Sequence, residues 1–203
     1  LRDELRDDHA ELSEIAGELL SAAQACASVT ERVLWYGRRQ GPLRTPVSLQ
    51  TVIDHALVLT RAPAAKVRCS VCAEVEEHTM FIGDTVQLTQ VFVNLIMNSM
   101  SIMSHGGTIR IRGGMDGEMV WATVEDEGPG VSAAHQEDIF APFFTTRPDQ
   151  GGSGMGLAIS RAVIETHGGW LTLETVRPAS ARFRIRLPLD VAPEVPRGIA
   201  VNQ

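Results

Sequence analysis

Two asparagines one helical turn apart open the chemistry of this chain. Asn94 and Asn98 sit in "QVFVNLIMNSM" at i, i+4 spacing and so share one face of a helix, among Val91, Leu95 and Ile96. An amide inside an apolar helix is costly unless paired. The pair is therefore either two buried amides satisfied by neighbouring backbone, or side-chain oxygens offered to Mg²⁺, which takes few protein ligands and fills the rest from water and phosphate. A second group is "DEGPG", Asp126 to Gly130, directly after the strand-like "MVWATVE". A carboxylate at a strand end, followed by Gly128 and Gly130, can floor a pocket where a flat ring lies close to backbone. Ionised, it only accepts hydrogen bonds, so it selects an exocyclic amine such as that of adenine. The competing explanation is an ordinary Asx turn.

A third stretch, "DIFAPFFTTR", holds Phe140, Phe143 and Phe144, three of the six phenylalanines. Core packing explains part of such a cluster. Pro142 and the polar residues that follow place it at a loop border, where Arg147 could reach a phosphate. Fourth is "GGSGMGLAIS": Gly151, Gly152, Gly154 and Gly156 lead into an apolar helical pattern. Unpaired N–H groups at that helix start can receive phosphate oxygens. No Lys-Ser/Thr follows, so this is no P-loop, and no strand runs into it as a dinucleotide fingerprint requires.

The elements that must position these groups follow from periodicity. "SLQTVIDHALVLT" reads as a helix with Ser48 as N-cap, and Asp84 to Met103 as a long, deeply buried one. "KVRCSVCAEV" alternates as a strand; "TIRIRGGMDGEMVWATVEDEG" is a hairpin around Asp116-Gly117; "SRAVIETHGGW" ends a helix at Gly168-Gly169; "WLTLETV" and "ARFRIRLPL" form a last strand pair. The order predicts an α+β fold: a two-layer α/β sandwich with a mixed, mostly antiparallel sheet and helices on one face. Ahead of it, Leu5, Leu12, Leu19, Cys26 and Val33, with Asp8, Ile15, Ala22, Val29 and Tyr36, make a heptad seam. Some 36 residues would run about 54 Å, longer than a small domain covers, so a coiled-coil-type helix in a dimer is expected. The expected divisions are 1–38 (this helix), 39–46 (a Gly/Pro-rich linker), 47–190 (the sandwich) and 191–203 (a Pro-rich tail without periodicity).

Composition narrows the partners. With 18 Lys and Arg against 25 Asp and Glu, the net charge is −7, which disfavours nucleic acid. No apolar run reaches membrane-spanning length, so no membrane contact is expected from this segment and it reads as cytoplasmic. Cys69 and Cys72 form a CxxC on a strand, where positions three apart face opposite sides, and no second ligand pair exists. They read as buried strand cysteines, not a zinc site.

In this order, "QVFVNLIMNSM", "DEGPG", "IFAPFFTT", "GGSGMGLAIS" and "HGG" closely resemble the asparagine, first glycine, phenylalanine and second glycine boxes of two-component sensor histidine kinases. The nearest subgroup is the nitrogen-regulator-like one, with "PFFTT" and a short lid. The resemblance spans residues 47 to 190, "IGD" at Ile82 to Asp84 included, and the amino-terminal helix is similar to the second helix of the dimerisation and phosphotransfer hairpin. It implies a kinase that binds Mg²⁺ and ATP and moves the γ-phosphoryl group to a histidine, then to a response-regulator receiver domain, within a homodimer. By it, Asn98 is the metal ligand, with Asn94 beside the phosphates, and Asp126 takes the adenine amine between Gly128 and Gly130. Arg147 stands where the subgroup often has lysine. Phe140, Phe144 and Thr146 border the nucleotide, as do Gly152 and Ser153 in a lid that closes over it; Gly154 and Gly156 give backbone N–H groups to the phosphates, and Met155 and Leu157 bind the nucleotide beside them.

One element of the family pattern is missing. No H-E-x-x-N/H-P segment is found, and His9 lacks the following proline; the acceptor histidine is expected on another part of a larger kinase. His55, His78, His105, His135 and His167 read as structural. A gyrase-like ATP hydrolase is the alternative, but it needs a carboxylate base where Asn94 stands, and an amide cannot serve. A non-catalytic nucleotide-binding scaffold is the third possibility.

Overall fold

The computed structural model describes residues 43–103, 105–147, 153–174 and 180–189. The heptad segment, Gly152 and the tail lie outside the described residues. The chain divides into two units, Leu1–Gly41 with Phe143–Gly154, and Pro42–Pro142 with Met155–Gln203; the second holds every described helix and strand.

In that unit, strand β1 (Thr45–Ser48) leads directly into helix α1 (Leu49–Lys66). Thr45 and Pro46, which composition assigns to the linker, are strand residues. Ser48 occupies the N-cap position, yet its hydroxyl caps nothing; the Leu49 N–H goes instead to the Thr79 carbonyl at 3.0 Å. Pro63 lies inside α1, which continues to Lys66. Strands β2 (Cys69–Val75) and β3 (Met80–Gly83) follow, then helix α2 (Thr85–Ile102). Asp84 caps α2 by accepting the Val86 and Gln87 N–H groups on Oδ1 at 3.0 and 3.1 Å, which satisfies two of the four donors that a helix start leaves open.

Strands β4 (Gly107–Asp116) and β5 (Met119–Asp126) form the expected hairpin. Asp116 pairs with Met119, so the two loop residues are Gly117 and Glu118, one position later than the sequence suggests. Gly117 has φ +61° at the first loop position, where a type II′ turn needs glycine. Short 3₁₀ turns at Ala133–His135 and Asp138–Phe140 precede helix α3 (Gly156–Thr166), and β6 (Trp170–Glu174) and β7 (Arg182–Pro188) close the fold.

The main sheet runs β2-β4-β5-β7-β6, with β2 and β4 parallel and the other neighbours antiparallel. This is the mixed, mostly antiparallel two-layer sandwich that the sequence predicts. Beyond the predicted sheet, β1 pairs with β3 in a second, two-stranded sheet tied in by Ile82 N–H to the Leu189 carbonyl at 3.0 Å.

Alternation sorts the sheet faces. Ile111, Val124 and Phe183 lie in one cross-strand row and are buried with Ile109, Ala122 and Ile185. Under them pack Val52 and Ile53 of α1, Leu88, Phe92, Leu95 and Ile96 of α2, and Ile164 of α3. The opposite face carries arginines paired across strands, including Arg182 to Glu125 and Arg184 to Glu174, both at 2.6 Å. On the edge strand β2, Cys69 is buried and Cys72 exposed, so only one of the pair is a buried cysteine. An edge strand with one uncovered face buries alternate residues only.

Candidate nucleotide site

Period-two alternation places Asp126 on the same face as Val120, Ala122 and Val124, at the register position of Ile109. A carboxylate therefore ends the strand facing the helices, at 1% exposure. Its Oδ1 accepts the Gly128 N–H at 2.9 Å and its Oδ2 accepts the Ser99 hydroxyl at 2.9 Å. Its own N–H donates to the Ala181 carbonyl at 3.1 Å. Burial holds the carboxyl above the usual carboxylate range, while the Gly128 and Ser99 donors pull it back down.

Gly128 and Gly130 are needed where they stand. A Cβ on Gly128 would lie 2.8 Å from both Asp126 Oδ1 and Ile102 Cδ1. Gly130 has φ +76°, and a Cβ there would press on Ser180 backbone at 3.1 Å. The "DEGPG" turn is thus an Asx-type turn, and the bond that closes it, Gly128 N–H to Asp126 Oδ1, also orients the carboxylate.

The outward side of α2 bounds the same region. Asn94 is half-buried; its Oδ1 accepts from Gln90 Nε2 at 2.8 Å, and its Nδ2 points at the Gly156 carbonyl and the Ser160 hydroxyl, each at 3.4 Å. Asn94 thereby ties α2 to the first turn of α3. Asn98 is exposed, contrary to the deep burial expected of this helix, and its amide has no hydrogen-bond partner among the described residues. The reason is geometric: α1, α3 and the sheet cover the buried side of α2, while the stripe through Val86, Gln90, Met97 and Asn98 stays open. No group of three His, Cys, Asp or Glu able to hold a metal occurs among the described residues. The Asn98 amide oxygen alone fits Mg²⁺ only in company with nucleotide and water oxygens, which is the coordination Mg²⁺ ordinarily keeps.

Other expected residues are placed as follows. Met155 caps α3, and Gly156 and Leu157 are its first two helical residues, with N–H groups free of intrahelical partners by their position. Phe140 is half-buried, edge-on to Phe183 at 6.3 Å and covered by the Arg161 guanidinium at 5.3 Å, so it packs on β7 and α3. In the other unit, the Phe143 N–H donates to the Gly154 carbonyl at 3.0 Å, and Gly154 adopts φ +64°. Phe143 is 61% exposed with φ +68°, which removes it from any core. Phe144 and Arg147 are half-buried, Thr146 and Ser153 are exposed, and the Arg147 N–H donates to Thr145 Oγ1 at 3.1 Å. His167 is buried, as a structural histidine should be; His55, His78, His105 and His135 are exposed.

Sequence reasoning missed Ser99, Ile102 and Ser160. A helical wheel could have found the first two. From Asn98, Ile102 lies about 40° and Ser99 about 100° around the helix, a sweep that leads from the open stripe to the strand end.

The family model for histidine kinase-, DNA gyrase B- and HSP90-like ATPases matches residues 83–191. Sensor histidine kinase ZraS of Escherichia coli O157:H7 is 32% identical over 75% of this chain and 33% of its own length. Sensory histidine kinase/phosphatase NtrB of Rhodobacter capsulatus is 31% identical over 89% of this chain and 53% of its own length. The chain thus spans between a third and about half of these relatives. Among solved structures, the catalytic domain of histidine kinase ThkA superimposes with a TM-score of 0.66 at 29% identity, covering 72% of this chain and 95% of that one. ThkA in complex with the response regulator TrrA gives 0.69 at 26% identity, over 83% of this chain and 48% of that one.

Proposed function

The chain belongs to the histidine kinase-, DNA gyrase B- and HSP90-like ATPase family, and on that premise we propose that it is the ATP-binding catalytic part of a sensor histidine kinase, transferring the γ-phosphoryl group of ATP to a histidine nitrogen. The observation that carries this reading is Asp126: a buried carboxylate at a strand end, accepting from Gly128 and from Ser99, the residue next to the exposed Asn98 of α2.

In this reading Asp126 accepts the adenine amine, and Gly128 and Gly130 let the ring approach backbone. Asn98 would hold Mg²⁺ through its amide oxygen, where the ion supplies neutralisation of the triphosphate charge. Asn94, fixed between Gln90 and the start of α3, stands beside the phosphates, and the first N–H groups of α3 add donors. Gly154 and Arg147 are assigned to phosphate contact on their motif positions. Phosphoryl transfer asks little covalent chemistry of a protein; its share is positioning and charge stabilisation. The acceptor histidine lies on a hairpin helix other than the segment described, a receiver domain takes the phosphoryl group next, and the working unit is a homodimer. The relatives named above as sensor kinases support the kinase reading, and the ThkA complex with a response regulator supports the receiver-domain step.

A hydrolase of the gyrase kind is less well supported. The residue one turn before Asn98 is an amide whose partners are Gln90, Gly156 and Ser160, none of them a carboxylate. An amide cannot take a proton from water at neutral pH.

Mixing this chain with γ-labelled ATP, Mg²⁺ and a separately produced sensor-kinase hairpin bearing its acceptor histidine tests the proposal. Acid-labile label on the hairpin is expected, with no steady release of phosphate. Tight ATP binding without any transfer would identify a scaffold, and steady hydrolysis lost on Asn94→Ala would identify a hydrolase.

A further inference from the structure

Ser99 is fully buried on the side of α2 turned toward the sheet, and among the described residues its hydroxyl has one partner, Asp126 Oδ2 at 2.9 Å. Packing alone does not ask for a hydroxyl there, because alanine would occupy nearly the same volume. We propose that Ser99 is a purine-specificity residue, whose hydroxyl keeps Asp126 an acceptor on both oxygens and so makes the site take a 6-aminopurine and refuse a 6-oxopurine. This inference rests on the ATP reading above.

The physical case is one of donors and acceptors. A buried carboxyl is driven toward its neutral form, and Glu125, the next residue, adds to that drive. The cations nearby are engaged elsewhere: Arg182 pairs with Glu125 at 2.6 Å and Arg110 with Glu127 at 2.7 Å. α2 contributes no charge against Asp126, only the Ser99 hydroxyl. Two donors among the described residues oppose that drive and favour the ionised form, Gly128 N–H on Oδ1 and Ser99 O–H on Oδ2. The backbone donor is fixed by the turn; the hydroxyl is the one that a single substitution removes. With Ser99 gone, Oδ2 is open to a proton. A protonated Asp126 then carries an O–H, which can donate to the carbonyl oxygen of guanine and no longer favours the amine of adenine. Discrimination between two purines depends on which side of the contact donates, and a mismatch leaves like groups facing each other.

The test measures the affinities of the chain for ATP and for GTP, each with Mg²⁺, in the wild type, Ser99→Ala and Ser99→Thr. The wild type prefers ATP. Ser99→Ala lowers the ATP-to-GTP affinity ratio by on the order of tenfold, the size of one hydrogen bond to a charged group. Ser99→Thr, which keeps the hydroxyl, restores the ratio. A purely structural serine would weaken both nucleotides alike, so an unchanged ratio in Ser99→Ala overturns the proposal while leaving the ATP reading intact. A wild type that binds neither nucleotide sinks the ATP reading itself. If Ser99→Ala does not fold, Ser99→Cys replaces it: a thiol is a weak donor of similar size, and the ratio falls part of the way. A wild-type ratio in that variant also overturns the proposal.

Discussion

The Nε2 atom of His167, at the end of α3, accepts the backbone N–H of Asp84, the residue that caps α2, at 3.0 Å. Its Nδ1 donates to the Val163 carbonyl at 2.8 Å, which fixes the neutral tautomer. Asp84 Oδ2 accepts the Leu43 N–H at 3.2 Å, and the Arg44 guanidinium donates to the Thr166 carbonyl. One imidazole thus joins the two helices that bound the candidate site to the point where the chain enters the domain.

Burial holds the His167 pKa below the ordinary imidazole range, and the Arg44 charge adds to the effect. The unfolded chain therefore binds the proton more readily than the folded one. Stability from this group is full above an unfolded pKa of about 6.5 and is lost as pH falls through it toward the folded value. Thermal melts between pH 8 and pH 5 are expected to show a falling Tm, with a shallower slope in His167→Gln, which cannot titrate. Asp126, with its raised pKa, works in the opposite sense, so the contrast is cleanest in an Asp126→Asn background.

Asn98 separates binding from folding. It is exposed, and its amide has no partner among the described residues, so Asn98→Ala is expected to change stability by no more than about 0.5 kcal/mol. Its proposed role predicts that Mg²⁺-dependent ATP affinity drops at least on the order of tenfold, the worth of one polar contact to a charged group. Calorimetry with and without Mg²⁺, beside a melt, reads both quantities.

Asp126→Asn is expected to weaken ATP on the order of ten- to a hundredfold, because a neutral amide accepts less strongly and gives up the charge-assisted bonds from Ser99 and Gly128. Titration with ATP and with a purine triphosphate lacking the amine settles the cause. The variant loses ATP affinity selectively if the amine contact is real.

Gly154→Ala addresses the loop between Phe143 and Gly154. At φ +64°, a Cβ would lie 2.7 Å from the Phe143 and Phe144 carbonyl oxygens, and the left-handed conformation itself costs about 1–2 kcal/mol for alanine. Amide exchange at Phe143, whose N–H bonds to the Gly154 carbonyl, is expected to speed up. ATP affinity falls with it if the loop contacts the phosphates.

Much of this arrangement is written in short-range pattern. Asp84 announces the start of α2 because a carboxylate before a helical run satisfies open N–H groups, and alternation along "MVWATVED" puts Asp126 on the side of Val120, Ala122 and Val124. The hairpin, the order of helices and strands, and the common face of Asn94 and Asn98 follow from the same two periods. What periodicity does not carry is which faces are covered, and by what. The pairing of β1 with β3 joins Thr45 to Gly83, and the edge position of β2 leaves Cys72 exposed; both depend on strands far apart in the chain. Asn98 is open because α1, α3 and the sheet cover only part of α2, and Ser99, an unremarkable helix residue in sequence, meets a carboxylate 27 positions away. Spacing is a local property of a helix or strand, so residue types determined the helices, the main-sheet strands and the candidate chemistry, but not the short strands β1 and β3. Partners across the core are settled only when the layers pack, so the tertiary structure decided which of those groups are buried, paired or left open to a ligand.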